Sequence, residues 1–181
     1  FSCEIARLAL IIAEYQCDVI YVGQKEAIAK FLPLEKNNWI ICGNALSLDW
    51  GKVCPRYGKN IKIEEENLFK NKFLESEVQF DNEGGEVFIC GNPPYVGDKK
   101  QNSQQKSDLE KLFSGFTKKW KSLDYVSGWF IKASEYANTS EVSFAFVSTN
   151  SITQGQQVPI LWPLLLKNNL EIYFAHTSFK W

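Results

Sequence analysis

The sequence predicts an α/β fold built on a mainly parallel sheet, and two observations carry that prediction. Short apolar runs that stop abruptly at Gly-Asn, Trp39 to Cys42 and Val87 to Cys90, read as strands buried on both faces. Segments with apolar residues at helical spacing alternate with such runs, and this alternation calls for crossover connections. With 181 residues, 45% hydrophobic and 14% aromatic, the chain has material for one packed core.

In chain order, Ile5, Leu8, Ala9, Ile12 and Ala13 recur at helical spacing with Glu4, Arg7 and Glu14 on other faces, so residues 2 to 17 read as an amphipathic helix that needs a sheet to lie on. Trp39 to Cys42 is the first strand. Residues 51 to 86 are polar and include the acidic cluster Glu64 to Glu66, a solvated face; they read as a loop-rich connection with a short helix around Leu68 to Leu74. Val87 to Cys90 is the next strand. Residues 96 to 108 lack a hydrophobic period and read as a mobile loop. Leu123, Val126, Trp129, Phe130, Ala133 and Ala137 then mark a helix. Phe144 to Val147 reads as a strand, STNSITQG (residues 148 to 155) as a turn into a helix from Gln156 to Lys167, and Leu170 to Phe174 as a last strand.

Twenty Lys plus Arg against 21 Asp plus Glu leave a net charge of -1, so no chain-wide basic footprint exists for nucleic acid. Grip on DNA would come from local groups such as Lys99, Lys100, Lys106, Lys118, Lys119 and Lys121, residues that elsewhere simply keep a surface soluble. The cysteines, Cys3, Cys17, Cys42, Cys54 and Cys90, form no CxxC pair and the single histidine is His176, so the spacing encodes no metal site. Reduced thiols in a cytoplasm are the simplest expectation. No apolar run has the length of a membrane span. The start FSCEIARLAL without an initiator Met, in a chain with no Met at all, suggests an excised fragment.

The segment Gly91 to Tyr95, GNPPY, follows a predicted buried strand directly, and ligands of open α/β sheets bind beyond the carboxyl ends of the strands. A rigid turn is one reading, because Asn-Pro and Pro-Pro punctuate secondary structure. Chemistry supplies another. An amino group conjugated into a base ring is a poor nucleophile, and it gains character when acceptors hold its hydrogens out of the ring plane. Asn92 offers a side-chain carbonyl, and Pro93 and Pro94 stiffen a backbone whose carbonyl at Pro93 is a second acceptor. Tyr95 offers an aromatic face for a base extruded from a duplex.

GNPPY resembles motif IV of amino-methyltransferases. The longer strings GNPPYVGDKKQ, LDYVSGWFIKASEYA, FAFVSTNSITQGQQVPILW and FAHTSFKW are similar to single-chain type II restriction-modification methyltransferases of the MmeI kind, a likeness that spans nearly the whole chain. The resemblance implies a Rossmann-like class I methyltransferase fold and S-adenosylmethionine as cofactor. It also implies methylation of the exocyclic amino group of adenine in double-stranded DNA, with the adenine flipped out. Asn92, Pro93, Pro94 and Tyr95 would be the catalytic residues. Asn44 would hydrogen-bond the cofactor's adenine with Ala45 and Leu46 lining its pocket, and Asn92 would also contact the cofactor, although a plain turn residue after a strand is the other use for Asn44. Thr149, Asn150 and Gln154 would contact the target base or its backbone, or else Asn150 or Ser151 would serve as an N-cap or turn residue.

Two parts of the family pattern, the glycine-rich cofactor loop and the acidic ribose ligand, are not found in residues 1 to 181. The resemblance therefore implies an incomplete domain: in the family's strand order 3-2-1-4-5-7-6, the first, second and seventh strands are missing. Such a piece is expected to keep only a partial sheet, or to pair or swap strands with a second copy, and to bind cofactor weakly by itself. Rival expectations are a methyltransferase acting on RNA or on a protein glutamine, and a degenerate methyltransferase fold used as a binding module.

Overall fold

The computed structural model describes residues 2–31, 40–55, 57–65, 74–83, 85–138, 141–167 and 170–177. The chain divides into two units, Phe1–Asn44 with Tyr57–Glu83, and Ala45–Arg56 with Gly84–Trp181.

In the first unit the amphipathic helix is present and longer than its periodic core, running Ser2–Val22 (α1). Gly23, at φ +93°, breaks it in a backbone conformation that residues with a Cβ avoid, and α2 (Gln24–Phe31) follows. An Arg7–Glu4 ion pair of 2.6 Å braces the first turns of α1, and Arg7 Nη2 also donates to the Ile40 carbonyl at 3.2 Å. The apolar stripe predicted to need a cover is largely uncovered, since Ile5, Leu8 and Ile12 are exposed.

Of the predicted strand at Trp39 to Cys42, residues 40 to 42 have no ladder partner among the described residues, and Trp39 lies outside them. The loop-rich reading of residues 51 to 86 is also corrected. Trp50–Val53 is a short helix (α3) capped by the Asp49 carboxylate, and β1 (Tyr57–Glu65) pairs antiparallel with β2 (Leu74–Glu83). The helix expected at Leu68 to Leu74 falls mostly outside the described residues, and Leu74 itself starts β2.

The second unit holds the parallel pair. Here β3 (Val87–Gly91) lies beside β4 (Val142–Phe146), in the register Val87↔Val142 to Gly91↔Phe146. One face packs on α5 (Ser127–Ala137), where the Phe130 ring meets Phe146 at 5.1 Å and Phe144 at 6.5 Å, both edge to face. The other face is open rather than buried: Phe88 is 69% exposed, and Cys90 and Ala145 are exposed. This small parallel sheet among helices is what a partial α/β methyltransferase domain is expected to retain.

The predicted mobile loop at 96 to 108 is corrected in its second half, where Ser103 to Asp108 begin a helix, α4 (Ser103–Phe113), and Asp98–Lys100 form a 3-10 turn before it. A capping box starts it: Asn102 Oδ1 accepts from Gln105 N at 2.8 Å while Asn102 N donates to Gln105 Oε1 at 3.0 Å. Leu109 and Phe113, four residues apart, then enter the core. The helix predicted from Leu123 begins only at Ser127, because Leu123 to Val126 turn across the core instead of winding. Leu123 and Val126 are nevertheless fully buried. The last helix, α6 (Val158–Leu166), buries Leu161 and Leu165, and its Trp162 indole donates to the Ile152 carbonyl at 2.8 Å. Residues 170 to 174, expected as a strand, have no ladder partner among the described residues, and Ile172, Tyr173 and Phe174 are exposed.

Candidate active site

The β3 strand delivers residues 92 to 95 to the carboxyl edge of the sheet, and the loop that follows it is anchored at both ends. Upstream, the Gly91 carbonyl accepts from Val147 N at 3.0 Å, one residue past β4. Downstream, the Val96 carbonyl accepts twice, from Tyr125 N at 3.0 Å and from Gln101 Nε2 at 2.9 Å. Between these anchors Pro93 is buried, whereas Asn92, Pro94 and Tyr95 are exposed, Tyr95 by 41%. A loop pinned at its ends, with one proline sunk in the protein and an amide and a phenol facing outward, is a presentation device; Tyr95 is not packed in the core.

The loop after β4 leaves the same edge, because the two strands are parallel neighbours. Thr149 is half-buried, and its hydroxyl shares a hydrogen bond of 2.5 Å with Ser151 Oγ, which in turn reaches Asp124 Oδ2 at 3.4 Å. Asn150 starts a single 3-10 turn closed by a Thr153 hydroxyl bond to the Asn150 carbonyl at 3.0 Å, and Ile152 anchors that turn in the core. Asn150 and Gln154 are exposed. The structure thus brings residues 92 to 95 and residues 149 to 154 to one end of the sheet.

The remaining predicted residues are placed differently. Asn44 is exposed, in neither helix nor strand, and belongs to the first unit. In the second unit, Ala45 is half-buried and its carbonyl accepts from the Trp50 indole at 2.8 Å. Leu46 is buried, with its two terminal methyl carbons 3.0 Å from where a Cβ on Gly128 would stand. His176 is exposed, with Nδ1 2.9 Å from the Thr177 carbonyl oxygen. Among the described residues, no group of three or more His, Cys, Asp or Glu is arranged to hold a metal ion, and no helix is long and apolar enough to cross a membrane.

Sequence reasoning missed the buried polar residues behind the loops. Asp108 accepts from the Tyr125 hydroxyl at 2.7 Å and from Gln104 Nε2 at 3.0 Å. Asp124 caps the turn into α5 through Val126 N, and its own N–H donates to Gln157 Oε1 at 3.1 Å. Gln101 spans Val96 and Leu123. A carboxylate inside an otherwise apolar stretch, LDYVSGWF, was the available signal, since such a group is buried only with partners.

A parallel strand pair that presents Asn-Pro-Pro-Tyr beside a hydroxyl- and amide-rich loop is the arrangement expected of an amino-methyltransferase domain. The family model described as "MmeI, DNA-methyltransferase domain" matches residues 1–181, and the chain belongs to that family. It is 40% identical over 182 residues to DNA methyltransferase A of Bacillus subtilis (strain 168), covering all of this chain and 18% of that protein. It is similar to the solved structure of the Type IIL restriction-modification enzyme MmeI in complex with DNA, at 35% identity and a TM-score of 0.71, over 99% of this chain and 20% of that one. The chain therefore spans about a fifth of the length of either relative.

Proposed function

We propose that this chain is the part of a restriction-modification enzyme that transfers a methyl group from S-adenosylmethionine to the exocyclic amino group of a flipped adenine in double-stranded DNA. The observation that carries the reading is the doubly anchored loop with Asn92 and Tyr95 exposed at the carboxyl edge of β3. In this reading the Tyr95 ring stacks on the extruded base. Asn92 Oδ1 and the Pro93 carbonyl accept the two amino hydrogens and turn the nitrogen lone pair out of conjugation. Pro93, buried, and Pro94 hold those acceptors where the loop sets them, so catalysis is chiefly positioning. Thr149, Asn150 and Gln154 face the base or its backbone from the neighbouring loop.

The side chains present fit the adenosyl part of the cofactor. Asn44 is exposed, and its amide both donates and accepts, as an adenine edge requires. In this reading Ala45 and Leu46, next in the chain, supply apolar surface to the cofactor's adenine. When bound, S-adenosylmethionine supplies an electrophilic methyl group on a sulfonium.

The test is transfer of labelled methyl from S-adenosylmethionine by the complete gene product, offered plasmid DNA, RNA and protein, followed by nucleoside analysis. Methyladenine in the DNA digest is expected, and Asn92→Ala should abolish it while leaving cofactor affinity in place. Label confined to RNA or protein would assign another acceptor, and no transfer to any acceptor would make the fold a binding module.

A further inference from the structure

The two loops at the sheet edge are referenced to one short segment, Leu123 to Tyr125. Tyr125 N holds the Val96 carbonyl at 3.0 Å. Gln101, 7% exposed, uses both hydrogens of its Nε2, one on Val96 O at 2.9 Å and one on Leu123 O at 2.8 Å. On the other side, the Asp124 carboxylate accepts from Ser151 Oγ at 3.4 Å, and Asp124 N donates to Gln157 Oε1 at 3.1 Å. The carbonyl at Val96 is one residue from Tyr95, so whatever fixes Val96 fixes the exit of the Asn92 to Tyr95 loop.

We infer that Gln101 is a positioning residue for methyl transfer. Its amide clamps the exit of the Asn92 to Tyr95 loop to the Leu123 to Tyr125 segment that also holds the Ser148 to Gln154 loop, and so fixes the gap in which the target base sits. This rests on the methyltransferase reading above. Gln101 touches neither base nor cofactor. It acts because a single planar amide donates to two carbonyls, those of Val96 and Leu123, that are distant in sequence, and its nitrogen, with both hydrogens committed, holds Val96 O in one direction. Tyr125 N alone would leave Val96 free to pivot about one bond. Since rates of positioned reactions fall steeply when reacting groups shift by about 1 Å, a pivot at Val96 is expected to lower turnover rather than binding.

The test is Gln101→Leu in the complete gene product, which keeps the bulk and removes both donors. With active sites counted by a single-turnover burst, kcat per site is expected to fall roughly 10- to 100-fold, while the dissociation constants for S-adenosylmethionine and for a duplex bearing the recognition sequence change less than about threefold. With 2-aminopurine at the target position, the fluorescence rise on binding should weaken, because the flipped base is no longer gripped in one pose. Gln101→Glu, the same shape with no donor when ionised, keeps the question answerable if the leucine variant does not fold, and it should show the same loss.

Asp108→Asn is the comparison: it disturbs the same buried network from α4 without touching Val96 O, and kcat per site should stay at the wild-type value. A kcat per site for both Gln101 variants within threefold of wild type, or an equal loss in Asp108→Asn, overturns the positioning role and leaves the methyltransferase reading standing. Wild-type protein that methylates no DNA overturns that reading, and the inference with it.

Discussion

Tyr125→Phe removes a buried hydrogen bond while keeping the ring. The Tyr125 hydroxyl donates to Asp108 Oδ2 at 2.7 Å, and both residues are buried. The ring itself sits edge-on to Trp129 at 5.2 Å and 81°, an arrangement that phenylalanine reproduces. What is lost is a short bond to a carboxylate inside the core, worth about 1.5–3 kcal/mol by the usual worth of hydrogen bonds to charged partners. Gln104 Nε2, at 3.0 Å from Asp108 Oδ1, still serves the other oxygen, so the carboxylate is not stranded and the loss should not exceed the upper figure. The assay is native-state hydrogen exchange read by mass spectrometry on peptides covering α4 and α5. Slow amides there should exchange about 10- to 150-fold faster, the free-energy loss converted at tenfold per 1.4 kcal/mol. In an Asp108→Leu background the same substitution should be nearly silent, because its partner is gone. Acceleration below threefold in the single variant, or an undiminished effect in the double, would refute the view that this bond holds α4 to the segment before α5.

Three more outcomes follow from the same unit. Asn102→Ala removes the capping box and should cost about 0.5–2 kcal/mol, seen as faster exchange confined to the first turns of α4. Gly128→Val should lower the melting temperature by overpacking worth about 1–3 kcal/mol, because even a Cβ there stands 3.0 Å from both Leu46 methyls and 3.3 Å from Leu112. Burial pushes the Glu135 carboxyl above its ordinary value, with Lys132 pulling the other way. A folded-state value above the unfolded one means that the native chain binds more protons between the two, so stability contributed by this group declines as pH rises through that interval. Glu135→Gln should flatten that decline in melting temperature and be no less stable than wild type at pH 7.

What could be read in the sequence was what depends on periodicity alone. The stripe of Ile5, Leu8 and Ile12, the run Val87 to Cys90 and the helical segment Gln156 to Lys167 each announce their element, and each element formed. The helix α4 was hidden because its first half, SQQKSD, carries charge and amide instead of apolar residues, so the pattern rests on Leu109 and Phe113 at its end. The Asn-x-x-Gln cap at Asn102 was the better signal. In the other direction, Ile40 to Cys42 and Leu170 to Phe174 have strand composition without a ladder partner among the described residues, since a ladder needs a neighbour and composition does not supply one. At the edge of the sheet, Asn92 to Tyr95 were legible because few side chains do their kind of chemistry. Gln101 and Asp124 were not, because their importance lies in which carbonyl or hydroxyl they meet, and those partners come from segments distant in sequence.

The parallel pairing of β3 with β4 also orders events in time. Val87 finds its partner at Val142, so closing this ladder joins ends about 55 residues apart, a contact that is entropically slow to form. On a ribosome, Asn92 leaves the tunnel well before β4 has been made, and the bond from Val147 N to the Gly91 carbonyl cannot exist until then. The chain therefore completes its proline loop only after β4, from a strand that must wait for α4 and α5 to be synthesised and for its neighbour to come alongside.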